Sequence, residues 1–225
     1  MSKINTIIFD LDDTLYPQLE YTRQCLHATV NYISDISGEN KEVIKVKLDE
    51  ILEKNGIEYK FIFNDLFKEI SFDGMPKLKI ILELFWSCTP EIKVFDGVLD
   101  VLTQLKTQYR LAILTDGHVH IQEQKIDTLG IRDFFEYVLI TDSLGVEYRK
   151  PSPAGYKKIL EEMKISAQDC IYVGNDPRKD FLACKELGIN TVRIRQGDYK
   201  NLTLDKIHEA DCEIDDIQDL LNIIK

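Results

Sequence analysis

Short apolar runs and helix-like patterns alternate along most of the chain. Five runs rich in branched and aromatic side chains predict buried strands at residues 4–9, 111–114, 137–140, 170–173 and 191–194. Apolar residues at helical spacing predict helices between the later strands, and a terminal helix carrying Ile214, Ile217, Leu221 and Ile224. This alternation predicts an α/β fold, a doubly wound parallel sheet with helices on both faces.

A long helical stretch interrupts the alternation after the first strand. Apolar residues recur at helical spacing from Leu26 to Phe85, with breaks near Gly38, Gly56 and Pro76. We therefore expect an all-helical insert over residues 16–90. The α/β core is then formed by residues 1–15 and 91–225.

Polar residues follow most of the predicted strands directly. Because ligands bind beyond the carboxyl ends of strands in open parallel sheets, these positions are expected to meet at one edge. They are Asp10, Asp12, Thr115, Asp116, Asp142, Asn175 and Asp176.

Asp10 and Asp12 lie two positions apart at the end of the first strand. In extended backbone their side chains point the same way, and two close carboxylates raise at least one pKa or require a cation between them. Such a pair can supply a nucleophile and a general acid. A solvated turn explains this segment equally well. A calcium-binding EF loop is excluded, because Leu15 stands where glycine is required.

Three further segments add candidate chemistry, and each also has an ordinary structural explanation. Thr115 can hold an anionic oxygen or cap a helix, and Lys150, on a proline-flanked loop, is either a fixed charge or a solvated lysine. Asp176 is expected to cap a helix opened by Pro177, with Asp180 one turn on. Oxygens from these acids, beside the first pair, suit Mg²⁺.

Composition narrows the classes of function. Lys and Arg number 28 against 39 Asp and Glu, a net charge of −11, which argues against a nucleic-acid or membrane-surface binder. An anionic substrate would then need local positive charge. The five cysteines form no CxxC pair, and neither a signal peptide nor a membrane-length apolar run is found, so we expect a cytoplasmic protein.

Four segments together resemble the motifs of the haloacid dehalogenase (HAD) superfamily. They are FDLDDTLYP, ILTDG, RKPSP and GNDPRKD, in that order, and residues 16–90 take the place of the family's helical cap. The resemblance covers the whole chain and implies a Rossmann-like HAD core. It also implies a hydrolase that acts on a small phosphorylated metabolite with Mg²⁺, as a monomer or a homodimer.

The resemblance assigns roles to the residues of the first three motifs. Asp10 would attack phosphorus and form an aspartyl-phosphate, and Asp12 would act as general acid and then as general base. Thr14 would orient Asp12, and Lys150 would stabilise the charge on Asp10 and the phosphoryl group. Thr115 and the region of Gly117 would bind phosphate oxygens. Thr14 and Asp116 are further candidate substrate contacts, and so is Tyr16, which lies just past the first motif.

The metal site would be shared between the first and fourth motifs. By resemblance, Asp10 and the backbone carbonyl of Asp12 would bind Mg²⁺ with either Asn175 or Asp176, and Asp180 would support them. Family phosphatases usually have aspartate where this chain has Asn175, and many relatives have asparagine where it has Asp116.

Three other functions remain open at this stage. A true dehalogenase has the same fold, but it usually carries an aromatic residue two positions after the nucleophile, where this chain has Asp12. A phosphomutase shares the acid pair. A non-catalytic binding protein on the same scaffold would not need the complete set of reactive groups.

Overall fold

The computed structural model describes residues 4–224 and contains one six-stranded sheet. All neighbouring strands are parallel, in the order β3-β2-β1-β4-β5-β6. The strands are β1 (Thr6–Phe9), β2 (Arg110–Thr115), β3 (Tyr137–Ile140), β4 (Cys170–Gly174), β5 (Asn190–Ile194) and β6 (Cys212–Ile214). The expected α/β class with a parallel sheet is confirmed.

A helix lies in each connection from β1 to β5, and a short helix follows β6. In the α/β part the helices are α6 (Val98–Lys106), α7 (Val119–Thr128), α8 (Ala154–Met163), α9 (Leu182–Leu187) and α10 (Leu220–Ile223). Short 3-10 turns stand at Arg132–Phe134, Thr141–Ser143, Val146–Tyr148, Ala167–Asp169 and Ile217–Asp219. Ile7, Ile8 and Phe9 of β1 are fully buried, so this strand is apolar on both faces, as parallel central strands are.

The chain divides into two compact units. One contains the chain up to Pro17 and from Lys93 onward, and the other is Gln18–Ile92. The sequence placed these boundaries at 15/16 and 90/91.

The second unit is built from helices around an apolar core of its own. They are α1 (Gln18–Ala28), α2 (Val30–Ser37), α3 (Lys41–Asn55), α4 (Ile62–Glu69) and α5 (Leu78–Trp86), with a 3-10 turn at Met75–Lys77. Its core includes Leu26, Leu48, Leu66 and Ile81, all nearly or fully buried. No helix among residues 4–224 has the length and apolar character that a membrane span requires.

Two predicted elements differ in the structure. Ile214 lies in the edge strand β6 rather than in the terminal helix, which is only the short α10. Pro177 opens a turn instead of a helix, because α9 begins at Leu182. The apolar spacing at the chain end fits the period of a strand as well as that of a helix. A proline suits the first position of a turn as well as that of a helix.

Candidate active site

The carboxyl ends of β1, β2 and β4 form one edge of the sheet. Asp10 directly follows β1, and its N–H donates to the carbonyl of Val173 in β4 at 2.8 Å. Thr115 ends β2 and Gly174 ends β4, with Asn175 next in the chain. The parallel register therefore brings the first, second and fourth sequence motifs to the same edge.

Lys150 joins two buried carboxylates at this edge. Its Nζ lies 2.9 Å from Asp10 Oδ1 and 2.7 Å from Asp180 Oδ1, and it donates to the Tyr172 hydroxyl at 2.9 Å. Tyr172 in turn donates to Asp180 Oδ1 at 3.0 Å. All three ammonium donors of Lys150 thus have acceptors, as a buried lysine requires.

Burial and neighbouring charges shift the pKa values of these groups. Burial raises the pKa of Asp10 to about 7, the charge of Lys150 opposes the shift, and that of Asp180 adds to it. Burial would lower the pKa of Lys150, but the carboxylates of Asp10 and Asp180 hold it well above its ordinary value. The charge of the half-buried Lys179 also lowers the pKa of Asp10. The second carboxylate that acts on Asp10 is therefore Asp180, where the sequence suggested Asp12.

The loop that carries Lys150 is fixed by two carboxylates. Asp116 Oδ1 accepts from the Lys150 backbone N–H at 3.1 Å and from the Thr141 hydroxyl at 2.7 Å. Arg149 donates to both oxygens of Asp142, at 2.6 and 2.7 Å. Asp116, which stands where many family members have asparagine, therefore helps to hold the loop that carries Lys150.

The end of β2 and the turn after it present a hydroxyl and a backbone amide. Thr115 is fully buried, and its Oγ1 accepts from Gln122 Nε2 at 2.6 Å. The backbone of Gly117 has a φ of 133°, and its N–H bonds to Asp142, whose pKa falls partly for that reason. The roles of both residues in phosphate binding stay predictions.

Asp12 has a set of partners separate from that of Asp10. Lys125 Nζ lies 2.6 Å from Asp12 Oδ1, the Tyr16 hydroxyl donates to the same oxygen, and Gln122 Nε2 donates to Oδ2 at 2.8 Å. Burial alone would raise the pKa of Asp12, but the Lys125 charge and these hydrogen bonds hold it below its ordinary value. Asp12 is therefore an ionised carboxylate near neutral pH.

Two residues of the first motif contact other groups than the sequence suggested. The side chain of Tyr16 is fully buried and its hydroxyl donates to Asp12. The Thr14 hydroxyl donates to Asn175 Oδ1 at 3.3 Å. The substrate contact of Tyr16 and the orienting role of Thr14 stay predictions. Asp12 is oriented by Tyr16 and by the two side chains of α7.

The fourth motif folds as a tight turn after β4. Asp176 caps this turn rather than a helix, because its Oδ1 accepts from the Arg178 N–H at 3.0 Å, and its carboxylate also binds the Arg178 guanidinium. Asp180 Oδ2 accepts from the Asp176 N–H at 2.9 Å. Gly174 is needed here, because a Cβ at this position would lie 2.5 Å from Asp180 Oδ2.

The polar atoms of the edge suit a divalent cation. Asp10 Oδ2 is buried without a hydrogen-bond partner among the described residues, which is costly for a carboxylate unless a cation binds it. Asn175 Oδ1 keeps a lone pair after accepting from Thr14, whereas the Asp176 carboxylate is paired with Arg178. Within residues 4–224, no three His, Cys, Asp or Glu side chains form a metal-binding group, so any such site includes amide or backbone oxygens.

Sequence reasoning missed four polar residues of this edge. They are Gln122, Lys125, Tyr172 and Lys179. A signal was present for the first two, which share a helix face with the apolar Ile126 and Leu129. Polar side chains on an otherwise apolar helix face predict a buried polar partner.

The parallel sheet and the buried acids and lysines at its edge are typical of one class of hydrolase, and the family comparison gives the same class. Residues 7–194 match the family described as haloacid dehalogenase-like hydrolase. The chain belongs to this family, which confirms the resemblance seen in its four motifs.

Curated relatives extend the similarity over the whole chain. A glyceraldehyde 3-phosphate phosphatase of Methanocaldococcus jannaschii is 31% identical over 227 residues, covering 99% of this chain and 97% of the relative. A protein of the same name from Pyrococcus abyssi is 32% identical over 226 residues, covering 99% and 94%. The expected phosphoric monoester hydrolase of the HAD family agrees with these names.

Solved structures show the same fold. The HAD hydrolase YfnB of Bacillus subtilis superposes with a TM-score of 0.71 at 18% identity, covering all of both chains. A HAD phosphatase of Thermococcus onnurineus superposes with a TM-score of 0.65 at 24% identity, covering 98% of each chain.

Proposed function

We propose that this chain is a Mg²⁺-dependent phosphatase that hydrolyses a small phosphorylated metabolite through an aspartyl-phosphate on Asp10. One observation carries the proposal. Asp10 has one oxygen 2.9 Å from Lys150 Nζ, while its other oxygen is buried and has no hydrogen-bond partner among the described residues. That second oxygen is available to a cation or to phosphorus.

The proposed metal ligands are Asp10, the Asp12 backbone carbonyl and Asn175. Asn175 is preferred to Asp176, because the Asp176 carboxylate is paired with Arg178. The bound Mg²⁺ would supply positive charge to the phosphoryl oxygens. A neutral amide ligand in place of a carboxylate lowers the affinity of the site for the metal.

The chain's own residues would divide the reaction into two displacements. In the first, an Asp10 oxygen bonds to phosphorus and the ester P–O bond breaks. The leaving oxygen takes a proton from Asp12, which is ionised in the free protein and would be protonated once the anionic ester binds beside it. In the second, water gives a proton to Asp12 and attacks phosphorus, and the bond to Asp10 breaks. Lys150 offsets the repulsion between the Asp10 carboxylate and the anionic ester.

The names of the relatives, rather than the site, support a choice of substrate to test. Proteins about a third identical over nearly the whole chain are named glyceraldehyde 3-phosphate phosphatases. Glyceraldehyde 3-phosphate is therefore the first metabolite to test, beside other short sugar phosphates and phosphoglycolate.

Phosphate release from p-nitrophenyl phosphate and from this set of metabolites, with Mg²⁺ and with EDTA, tests the proposal. We expect release that requires Mg²⁺ and is abolished in Asp10→Asn with the fold retained. Activity of Asp10→Asn equal to that of the wild type would remove the proposed nucleophile. Release of halide from a 2-haloacid, or transfer of the phosphoryl group to a sugar instead of water, would favour the dehalogenase or the mutase.

A further inference from the structure

Two buried polar side chains project from one face of α7. Gln122 and Lys125 are three positions apart and are 2% and 4% exposed. A lysine at this depth is destabilising unless a negative group faces it, and Asp12 is that group, with its Oδ1 2.6 Å from Lys125 Nζ. The position of Asp12 therefore depends on α7, more than a hundred residues further along the chain.

The two side chains hold different oxygens of the same carboxylate. Lys125 and the Tyr16 hydroxyl donate to Asp12 Oδ1, and Gln122 Nε2 donates to Oδ2 at 2.8 Å. Contacts on both oxygens fix the rotation of the carboxylate about its last bond. A carboxylate offers about four lone-pair sites, so these three donors leave one acceptor site, on Oδ2.

Gln122 also connects Asp12 to the end of β2. Its Nε2 donates to Asp12 Oδ2 and to Thr115 Oγ1, at 2.8 and 2.6 Å. An amide nitrogen has two donors, and each has one of these acceptors. The remaining acceptor site of Asp12 is thereby oriented relative to the hydroxyl that the resemblance assigns to phosphate.

We propose that Lys125 and Gln122 are positioning residues for Asp12, which direct the remaining acceptor site of Asp12 Oδ2 at the water that hydrolyses the aspartyl-phosphate. The inference rests on the proposed function. In that step the water proton passes to Asp12 Oδ2, the water oxygen bonds to phosphorus, and the bond between phosphorus and Asp10 breaks. Inorganic phosphate leaves, and the proton on Asp12 serves the next leaving group.

If Lys125 and Gln122 position Asp12, their loss should slow the second displacement, the hydrolysis of the aspartyl-phosphate, and not the first. With an activated aryl phosphate, the first displacement needs little help from an acid, so kcat/KM reports attack by Asp10 alone. The second displacement limits kcat when Asp12 is misaligned. A purely structural defect lowers the fraction of folded enzyme and therefore lowers kcat and kcat/KM equally.

The experiment compares wild type, Lys125→Met, Lys125→Arg and Gln122→Leu on 2,4-dinitrophenyl phosphate by stopped flow with Mg²⁺. Acid-quenched protein is analysed by mass spectrometry for a phosphoryl group. Asp127→Asn is the matched control, because Asp127 lies on the same helix as Lys125 and its change removes only an exposed ion pair with Arg132, in the turn after α7. Circular dichroism checks the folded content of each variant.

We expect Lys125→Met to lower kcat about ten-fold or more, a part of the 10²–10⁴-fold that general acid–base catalysis contributes. Its kcat/KM should change less than about three-fold, a burst of dinitrophenol should precede steady turnover, and phosphorylated protein should accumulate. Gln122→Leu should behave alike, Lys125→Arg should recover part of kcat, and Asp127→Asn should match the wild type.

Two other outcomes separate the inference from the function on which it rests. If kcat and kcat/KM fall together in both Lys125→Met and Gln122→Leu, with no burst and no phosphorylated protein, the positioning role is wrong while the phosphatase stands. If Lys125→Met does not fold, Gln122→Leu decides the question alone. If the wild type releases no phosphate, or Asp10→Asn is fully active, the proposed function itself fails.

Discussion

Lys150 Nζ lies 2.9 Å from Asp10 Oδ1, and both side chains are 1% exposed. The ammonium group also lies 2.7 Å from Asp180 Oδ1. One cation thus compensates two buried carboxylates that come from the first and fourth motifs. The same contact places a fixed charge beside the proposed nucleophile, so stability and chemistry depend on a single side chain.

Replacing Lys150 tests that dependence. We expect Lys150→Met to lower the free energy of unfolding by about 3–5 kcal/mol, because it removes the cation in direct contact with two buried acids. Urea unfolding at neutral pH measures the change. Lys158→Met is the control, since it removes an exposed surface ion pair with Glu162 and should change the free energy of unfolding far less. Equal losses in the two variants would contradict the importance of the buried contact.

A side chain added at Gly174 should displace Asp180 and so disturb the active site. In Gly174→Ala the new Cβ would lie 2.5 Å from Asp180 Oδ2, so we expect a loss of about 1–3 kcal/mol together with lower kcat. Gly130→Ala is the comparison, because its Cβ meets no atom within 4 Å although its φ is +66°. It should cost about 1–2 kcal/mol by strain and leave kcat unchanged. Unchanged kcat in Gly174→Ala would argue against displacement of Asp180.

A buried arginine anchors the segment after β5. Arg193 is fully buried, lies 2.7 Å from a Glu209 oxygen, and donates to the carbonyls of Tyr199 and Leu202. We expect Arg193→Met to destabilise the protein by about 3–5 kcal/mol. Hydrogen exchange should also become faster over residues 196–209.

Arg195→Met provides the matched control for that change. Arg195 stands two residues later, pairs with Glu213 and donates to the Lys200 carbonyl at 3.0 Å. The Arg195 and Glu213 side chains are both at least a quarter exposed, so these contacts are weaker than those of the buried Arg193. The loss of Arg195 should cost about 1 kcal/mol or less. Similar effects of the two substitutions in urea unfolding would show that Arg193 does not anchor the segment.

Asp142 gives a pH dependence with a defined sign. Hydrogen bonds from Arg149 hold the pKa of Asp142 below its ordinary value in the folded protein. Its contribution to stability is therefore present above the unfolded pKa and is lost as the pH falls through the folded value. Asp142→Asn should be less stable than the wild type at pH 7, and the difference should shrink below about pH 4. A difference that stays constant from pH 7 to pH 3 would refute this account.

The sequence predicted the parallel sheet well because its central strands are apolar on both faces. β1 and β4 are completely buried and read as short apolar runs. β6 was missed for the opposite reason. It has three residues, lies at the edge of the sheet, and only Ile214 among them is buried. Its spacing to Ile217 and Leu221 imitates a helix.

The site was predictable as far as topology determines it. The parallel order explains why Asp10, Thr115 and Asn175 reach one edge. It does not specify side-chain partners, which depend on helix rotation and packing. The contact of Lys125 with Asp12, and the use of Tyr16 as a donor to that carboxylate, follow from how α7 packs and not from any motif.

The sheet edge differs in charge from the chain as a whole, because its acids are paired with lysines. Asp10, Asp12 and Asp180 are matched by Lys125, Lys150 and Lys179, so this interior region is close to neutral, while the whole chain carries −11. The net negative charge repels a dianionic ester that approaches from solvent, and at 0.1 M salt this repulsion is largely screened beyond about 10 Å. Moderate salt should therefore speed substrate capture, the reverse of what electrostatic steering produces in enzymes whose entrance attracts its ligand.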